Sequence, residues 1–532
     1  MTDITPLPRA AILREIDHTP IWDVVVIGGG ATGLGTAVDA AARGYRTLLV
    51  EARDFAKGTS SKATKLVHGG VRYLAQGNIS LVREALRERG LLARNASHVV
   101  GRLGFVVPAY RHLDKPFYGV GLKVYDWLAG SLNLSRSHGL SADETRSLLP
   151  TLTDSLHGRP LRGGTLYYDG QFDDARLAIS LMRTVFDLGG IALNNAAVRA
   201  IRPDAGRREH VLTVEDAETG NRLDVRARCV VNATGVWVDA VRSMVEPAAR
   251  PIVAPSQGVH LTLPARFLQS RHAILVPRTE DGRVLFVVPW HGHTIVGTTD
   301  TPRPDMPVDP HASAQDVDFI LRTAARYLSV APTRDDVLSV WAGLRPLVKG
   351  DGDATTSSLS REHTIQLHST GMITVTGGKW TTYRRMAEEV VDLAIGSGLL
   401  PAAGCRTEDL PLHGATRSPG AEAGVSASGA AAGCYGTDGP LITRLPGADR
   451  VLVAASGLTE AQVRYAARAE LARSVEDVLA RRNRALFLDA RAARQAAPEV
   501  ARILAAELGH DAYWQSREVA AFSTFAGDWL LG

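Results

Sequence analysis

The chain has 532 residues, 45% apolar and 22% charged, with a formal net charge of +4 and a sequence pI near 9.0. Such a composition is that of a folded globular protein with two or three domains, and it excludes disordered, collagenous and disulfide-scaffold classes. The mild positive charge suits anionic substrates or lipid headgroups, and with no basic cluster beside stacking aromatics, nucleic acid is not an expected partner.

Residues 1–20 form an N-terminal extension that holds Pro, Asp and Glu where a signal peptide would have an apolar core. No apolar run approaches the ~18 residues of a membrane span. From Trp22 to Glu51 the chain reads as strand, glycine turn, helix and strand. Val24–Ile27 is a short β-branched run suited to a strand buried on both faces, and it ends in Gly28-Gly29-Gly30-Ala31-Thr32-Gly33. In this G-x-G-x-x-G, Gly28 permits the tight turn, Gly30 permits close approach to a pyrophosphate, and Gly33 permits the next helix to pack on the strand. That helix, from Ala31 to about Arg43, aims its free N–H groups and positive dipole end at phosphates. A second strand, Thr47–Val50, closes with Glu51, about 20 residues on, where an acid accepts from ribose hydroxyls. The unit alone leaves FAD and NAD both open.

Asp54 to Leu74 is rich in Gly, Ser, Thr and Lys and is expected as a loop over the cofactor. It offers the hydroxyls of Ser60, Ser61 and Thr64, the charges of Lys62, Lys65 and Arg72, and in His68 a group that titrates near neutrality. A scaffold helix is predicted from Ser80 to about Ala96. Arg111 to Trp127 mixes aromatics with Arg111, Lys115 and Lys123, which suits a membrane interface or, alternatively, an aromatic core. Asp173 or Asp174 is placed to cap a helix from Ala175 to about Leu188. Val211–Val214 and Leu223–Arg226 read as an antiparallel meander, and Cys229–Asn232 as another buried strand ending in Ala233-Thr234-Gly235, a small turn beside a dinucleotide.

Residues 251 to about 345 read as an inserted β-rich domain with strands Val259–Leu263, Ala273–Val276, Val284–Val288 and Thr294–Val296, the last two joined by a turn at His291-Gly292. His291 and His293 lack partners at ligand spacing, so no metal site is expected. Met372–Val375 is a strand that runs into Thr376-Gly377-Gly378-Lys379 and a helix from about Arg384. Two glycines at a helix mouth let N–H groups face an electron-rich ring edge. From His413 to about Pro440 the composition is that of a linker. Beyond it, Thr459-Glu460-Ala461-Gln462 is a capping box, and Arg481-Arg482-Asn483-Arg484 is expected on a solvated helical face. Cys229, Cys405 and Cys434 are few and far apart, which predicts a reducing compartment with no disulfide framework.

Seven blocks now carry a resemblance: the Trp22–Glu51 unit, Thr59–Leu74 (TSSKATKLVHGGVRYL), Val231–Trp237 (VNATGVW), Ile295–Asp300 (IVGTTD), Gly343–Leu347 (GLRPL), Ser360–Thr364 (SREHT) and Gly377–Arg384 (GGKWTTYR). In order, over residues 20 to 395, they are similar to FAD-dependent glycerol-3-phosphate dehydrogenase of the aerobic respiratory type. The C-terminal segment Val463–Glu470 resembles that family's extra domain less specifically. The resemblance implies an α/β fold with a doubly wound FAD-binding domain like that of D-amino-acid oxidase (21–110, 190–250, 346–400). It adds an antiparallel β substrate-capping domain (111–189, 251–345), a linker (401–440) and a small α-helical C-terminal domain (441–532).

It implies FAD as cofactor and oxidation of sn-glycerol 3-phosphate to dihydroxyacetone phosphate by hydride transfer from C2 to flavin N5. Electrons then pass to a membrane quinone, from a peripheral position on the inner, cytoplasmic face of the cell membrane; a homodimer is compatible with this. An oxidase on the same fold, returning electrons to oxygen, stays open.

Carried onto these motifs, the cofactor-binding set is Gly28, Gly30, Thr32, Gly33, Glu51, Ser60, Ser61, Thr64, Lys65, Leu66, His68, Ala233, Thr234, Gly235, Gly377, Gly378, Lys379 and Thr381. A phosphorylated alcohol needs cations for its dianion, and Arg72, Arg345, Arg361 and Lys379 are the candidates. The hydroxyl proton needs a base, for which His68 and His260 are both available. Tyr73 is placed to orient substrate, and Lys379 to stabilise the reduced anion.

Overall fold

Strand Trp22–Ile27 lies inside an eight-stranded sheet, flanked by Thr47–Val50 on one side and Arg222–Asn232 on the other, all parallel. The computed structural model describes residues 6–531 apart from 75–76, 205, 207–208, 278, 281, 350–362 and 417–432. Ile191–Leu193 extends the parallel set beyond Thr47–Val50, and Ile373–Gly377 extends it beside Asn232. Val24, Val25 and Val26 are almost wholly buried, as a strand covered on both faces requires. Helix Ala31–Ala42 packs between helices Asp174–Asp187 and Tyr383–Gly396, with Leu34, Ala37 and Val38 in the shared core. Asp173 caps the first of those neighbours, its Oδ1 accepting from Ala175 and Arg176 N–H at 3.1 Å.

The expected meander is present as Ala196–Asp204, Glu209–Asp216 and Arg222–Asn232, but its third strand and the predicted strand at Cys229 are one continuous element. Its first half pairs antiparallel with the meander, and its second half runs parallel to Trp22–Ile27 and Ile373–Gly377.

A second, ten-stranded sheet carries the cap. Val253–Pro264 pairs with Ser339–Val348 from Val253 opposite Val348 to Thr262 opposite Ser339. On its other edge it pairs with His293–Gly297, which turns at His291-Gly292, both at positive φ, into Leu285–Trp290. Strand Val100–Ala109, placed by sequence with the first domain, runs in this second sheet beside His272–Val276 and Gly163–Phe172. Helix Asp174–Asp187, placed with the cap, packs on the first sheet instead. One face of the cap sheet is covered by helix Ala314–Tyr327 through Val317, Ile320, Leu321 and Ala324.

The C-terminal domain is built from helices Glu460–Ala469, Ala490–Leu508 and Ala512–Gly527. The first opens with the expected capping box, Thr459 Oγ1 accepting from Gln462 N–H and Gln462 Oε1 from Thr459 N–H. Its core is continuous with the cap: Trp290, Ile295 and Trp341 pack among Val478, Leu479, Phe487 and Trp529.

Two sequence expectations fail here. The described part of the expected linker is packed, with Thr407 Oγ1 donating to Asp39 at 3.0 Å and Leu412 buried. Arg481, Arg482 and Arg484 are buried rather than solvated, because Asp54, Glu476, Asp477 and Asp174 supply their counter-charges inside the fold.

Candidate active site

The glycine turn makes a cradle by leaving out side chains. Gly28 has φ 112°, and a Cβ on it would fall 2.6 Å from the Ala233 carbonyl oxygen at the end of the neighbouring strand. A Cβ on Gly33 would fall 1.9 Å from Gly28 O, so its place is helix-on-strand packing. Glu51 Oε2 accepts from Gly29 N–H at 2.6 Å and Oε1 from Arg53 N–H at 2.9 Å, while burial raises its carboxyl pKa above the usual value. Ser60 latches the overlying loop to the helix mouth, its Oγ accepting from Ala31 N–H at 2.9 Å. These elements line a cavity of about 1410 Å³ together with Gly30, Thr32, Ala233, Thr234, Gly235, Gly377, Gly378 and Thr381. That exceeds the roughly 300–1,000 Å³ of a drug-sized site, leaving room for a dinucleotide and a small substrate together.

The end of the cavity that holds Arg345 and His260 is set by one strand pair. Residues opposite each other in an antiparallel pair share a face, and that face repeats every second residue. Ser256 opposite Arg345, Gly258 opposite Gly343 and His260 opposite Trp341 therefore project together. The two glycines leave a hollow between the flanking side chains: a Cβ on Gly258 would fall 2.3 Å from Arg345 Nη2, and one on Gly343 2.8 Å from Lys62 Cβ. Arg345 is aimed by Thr299 O at 3.0 Å, Thr298 Oγ1 at 3.1 Å and Asp300 Oδ1 at 3.2 Å. Asp300 in turn accepts from the Ser256 hydroxyl. His260 stacks on Trp341 with ring centroids 5.3 Å apart, and its Nε2 meets Thr64 Oγ1 at 2.9 Å. Burial, then Arg345 and Lys65, hold its pKa well below the ordinary histidine value, so the ring is neutral at neutral pH.

His68 lies on the same cavity, its backbone N–H donating to Thr381 Oγ1 at 3.2 Å. Lys379 Nζ sits 4.1 Å over the Tyr73 ring, which brings two predicted substrate groups together. Gly69 N–H donates to the Tyr125 hydroxyl at 2.8 Å, and that hydroxyl donates to Asp169, the partner of buried Arg89. Leu66 and Thr64 also line the cavity. Ser61 and Lys65 do not; both are buried behind it, with Lys65 Nζ bonded to Asp174 and to Ser61 O. Arg72 is described only as backbone of helix Val71–Leu74, and Arg361 lies outside the described residues.

Residues 23–384 match the family model described as FAD dependent oxidoreductase, and 405–515 match the C-terminal domain of alpha-glycerophosphate oxidase. A probable mitochondrial glycerol-3-phosphate dehydrogenase of Caenorhabditis elegans is 39% identical over 543 residues, covering 96% of this chain and 74% of that one. The chain belongs to the glycerol-3-phosphate dehydrogenase family of FAD-dependent oxidoreductases. The mitochondrial glycerol-3-phosphate dehydrogenase of Arabidopsis thaliana is also 39% identical, covering 97% of this chain and 87% of its own. The glycerol-3-phosphate dehydrogenase of Bacillus halodurans, solved with FAD, superposes with a TM-score of 0.77 at 29% identity, over 98% of this chain and 97% of that one. The family's cofactor fits: the side-chain-free cradle, the acid at Glu51 and the paired glycines at 377–378 are what the two ends of FAD need.

Asp300, Ser256 and Trp341 escaped the sequence analysis as site residues. The Thr298-Thr299-Asp300 motif was a signal for the first, whereas only strand register reveals the other two.

Proposed function

We propose that this chain oxidises sn-glycerol 3-phosphate to dihydroxyacetone phosphate and passes the electrons to a membrane quinone. The observation that carries the reading is one cavity holding the dinucleotide cradle, the cations Arg345 and Lys379, and the neutral, buried His260. When bound, FAD supplies the two-electron acceptor. Arg345, its guanidinium held by three oxygens, receives the phosphate in a fork geometry. Lys379 and Tyr73 hold the other side of the substrate. His260 takes the hydroxyl proton. Burial is the main cause of its low basicity, and a phosphate dianion beside Arg345 offsets one of the two smaller, charge-based contributions.

The acceptor side rests on helix Asp114–Ala129. Leu113, Phe117, Val120, Val124 and Trp127 are 77, 66, 67, 40 and 77% exposed and recur at spacings of four and three, which puts them on one face. Exposed Lys115 and Lys123 lie on the same helix. An apolar row edged by lysines suits the headgroup boundary of an anionic membrane. Leu113, Phe117 and Val120 also line the cavity, so the same helix gives a lipid-borne quinone a way in. No helix among the described residues is long and apolar enough to cross a membrane. We read the chain as peripheral, on the inner face of the cell membrane, and the exposed, lysine-edged row of helix Asp114–Ala129 is what supports that reading.

The test is Arg345→Ala assayed against glycerol 3-phosphate and against glycerol. The reading expects a far larger loss of binding for the phosphorylated substrate; equal losses would show that Arg345 does not read phosphate.

A further inference from the structure

Behind the His260 ring, away from the cavity, lies a buried group of charges whose members come from three parts of the chain. Lys65 Nζ donates to both Asp174 oxygens at 2.9 and 2.8 Å and to Ser61 O at 2.7 Å. Arg484, from the C-terminal domain, donates to the same two acceptors, Ser61 O at 2.8 Å and Asp174 Oδ1 at 3.1 Å. Asp174 Oδ2 also accepts from Ala63 N–H at 3.0 Å. Segment 61–65 is thus held at Ser61, Ala63 and Lys65 by a carboxylate and a guanidinium that lie outside it. Lys65 stands at φ 67°, a conformation that a lysine keeps only when its surroundings impose it.

Thr64 lies within that segment, and among the described residues its hydroxyl is the one hydrogen-bond partner of the His260 ring; Nδ1 is buried without one. The ring's other constraint is the stack on Trp341, which packs edge-on against Phe487 at 5.0 Å. Phe487 also lies under the Arg484 guanidinium at 3.8 Å. Both constraints on His260 therefore lead back to the C-terminal domain.

We propose that Arg484 is a positioning residue for His260, holding segment 61–65 so that the Thr64 hydroxyl fixes the imidazole toward the substrate. The proposal rests on the reading that His260 takes the substrate proton. It gives the C-terminal domain a part in the chemistry, since without Arg484 two cavity-facing groups lose their common support.

The experiment uses FAD-loaded enzyme with Arg484→Met, Arg484→Lys, Thr64→Val, Thr64→Ser and His260→Gln, and measures flavin content, kcat and KM separately. Arg484→Met is expected to keep its flavin and a KM within about threefold while kcat falls roughly tenfold or more, a part of the roughly 10²–10⁴-fold that general base catalysis contributes. Arg484→Lys, which keeps a charge for Asp174, recovers part of that loss. An Arg484→Met enzyme with unchanged kcat, or one that loses flavin, KM and kcat together with no recovery in Arg484→Lys, overturns the proposal. Should Arg484→Met not fold, the Thr64 pair decides: Thr64→Ser is expected to retain kcat and Thr64→Val to lose it, and equal rates overturn the proposal. A large loss in His260→Gln beside unaffected Thr64 and Arg484 variants removes the positioning role alone. An undiminished His260→Gln removes the base assignment as well.

Discussion

Arg482 donates to both carboxylate oxygens of Asp54, Nη2 reaching Oδ1 at 2.8 Å, with the two side chains 1% and 2% exposed. Arg481 donates to the same carboxylate. Burial alone would raise the Asp54 pKa, and Arg482 and Arg481 reverse that and hold it well below the usual range. Asp54 closely follows Glu51, so the C-terminal domain grips the loop that leaves the dinucleotide cradle. Asp54→Ala takes the ion-pair partner from buried Arg482, while Arg481 keeps Glu476 and Asp477, and the uncompensated guanidinium is a defect worth about 3–5 kcal/mol. The expected result is a lower melting temperature together with weaker FAD retention, read by thermal unfolding and by flavin absorbance after gel filtration.

Asp300 orients Arg345 without lining up as a substrate ligand itself. Asp300→Asn keeps the shape and exchanges the ion pair for a neutral hydrogen bond, so the guanidinium is held less firmly, although Thr298 and Thr299 still bond it. KM for glycerol 3-phosphate should rise roughly tenfold, about the 1.4 kcal/mol of one charge-assisted hydrogen bond, with flavin content unchanged. Steady-state kinetics at fixed enzyme concentration reads this.

Trp127 and Val124 belong to the exposed row and do not line the cavity. The double variant Val124→Glu, Trp127→Glu should leave turnover with a water-soluble acceptor intact and abolish sedimentation with anionic vesicles at low salt. Turnover with a vesicle-borne quinone should fall in parallel.

His413 bridges Asp187 and Asp438, with Nδ1 and Nε2 each 2.7 Å from a carboxylate oxygen. Burial opposes its charge, but the two carboxylates outweigh it and lift the pKa to about 9. The folded value thus lies above the unfolded one near 6.5. The charged ring stabilises fully below pH 6.5, and that contribution is lost as pH rises through about 9. Stability should fall between pH 7 and pH 10 by on the order of 2 kcal/mol, and His413→Gln should flatten the slope. Thermal unfolding across that range measures it.

Local signals carried most of the fold. The strand at Val24, the glycine turn, the hairpin at His291-Gly292 and the box at Thr459 each depend on residues within a few positions, and each stands as the sequence predicts. Long-range pairing was not legible. Nothing near Val100 says that its strand joins the cap sheet, and nothing near Arg481 says that Asp54 lies opposite, so an arginine run read as solvated is buried. The same holds at the site: Arg345 and Lys379 announce themselves as cations beside glycines, whereas Trp341 behind His260 follows only from the register of two strands far apart in sequence. Phe117 and Trp127 were open to either a core or an interface reading, and their exposure on one helical face is a tertiary fact.

In the proposed mechanism the cationic cavity delivers glycerol 3-phosphate to bound FAD. The most direct test is the visible spectrum of the purified enzyme, recorded anaerobically before and after adding glycerol 3-phosphate, then after a quinone analogue or oxygen. The yellow spectrum should bleach with the phosphorylated substrate but not with glycerol, and return much faster with the quinone analogue than with oxygen. A flavin spectrum unmoved by saturating glycerol 3-phosphate would contradict this mechanism.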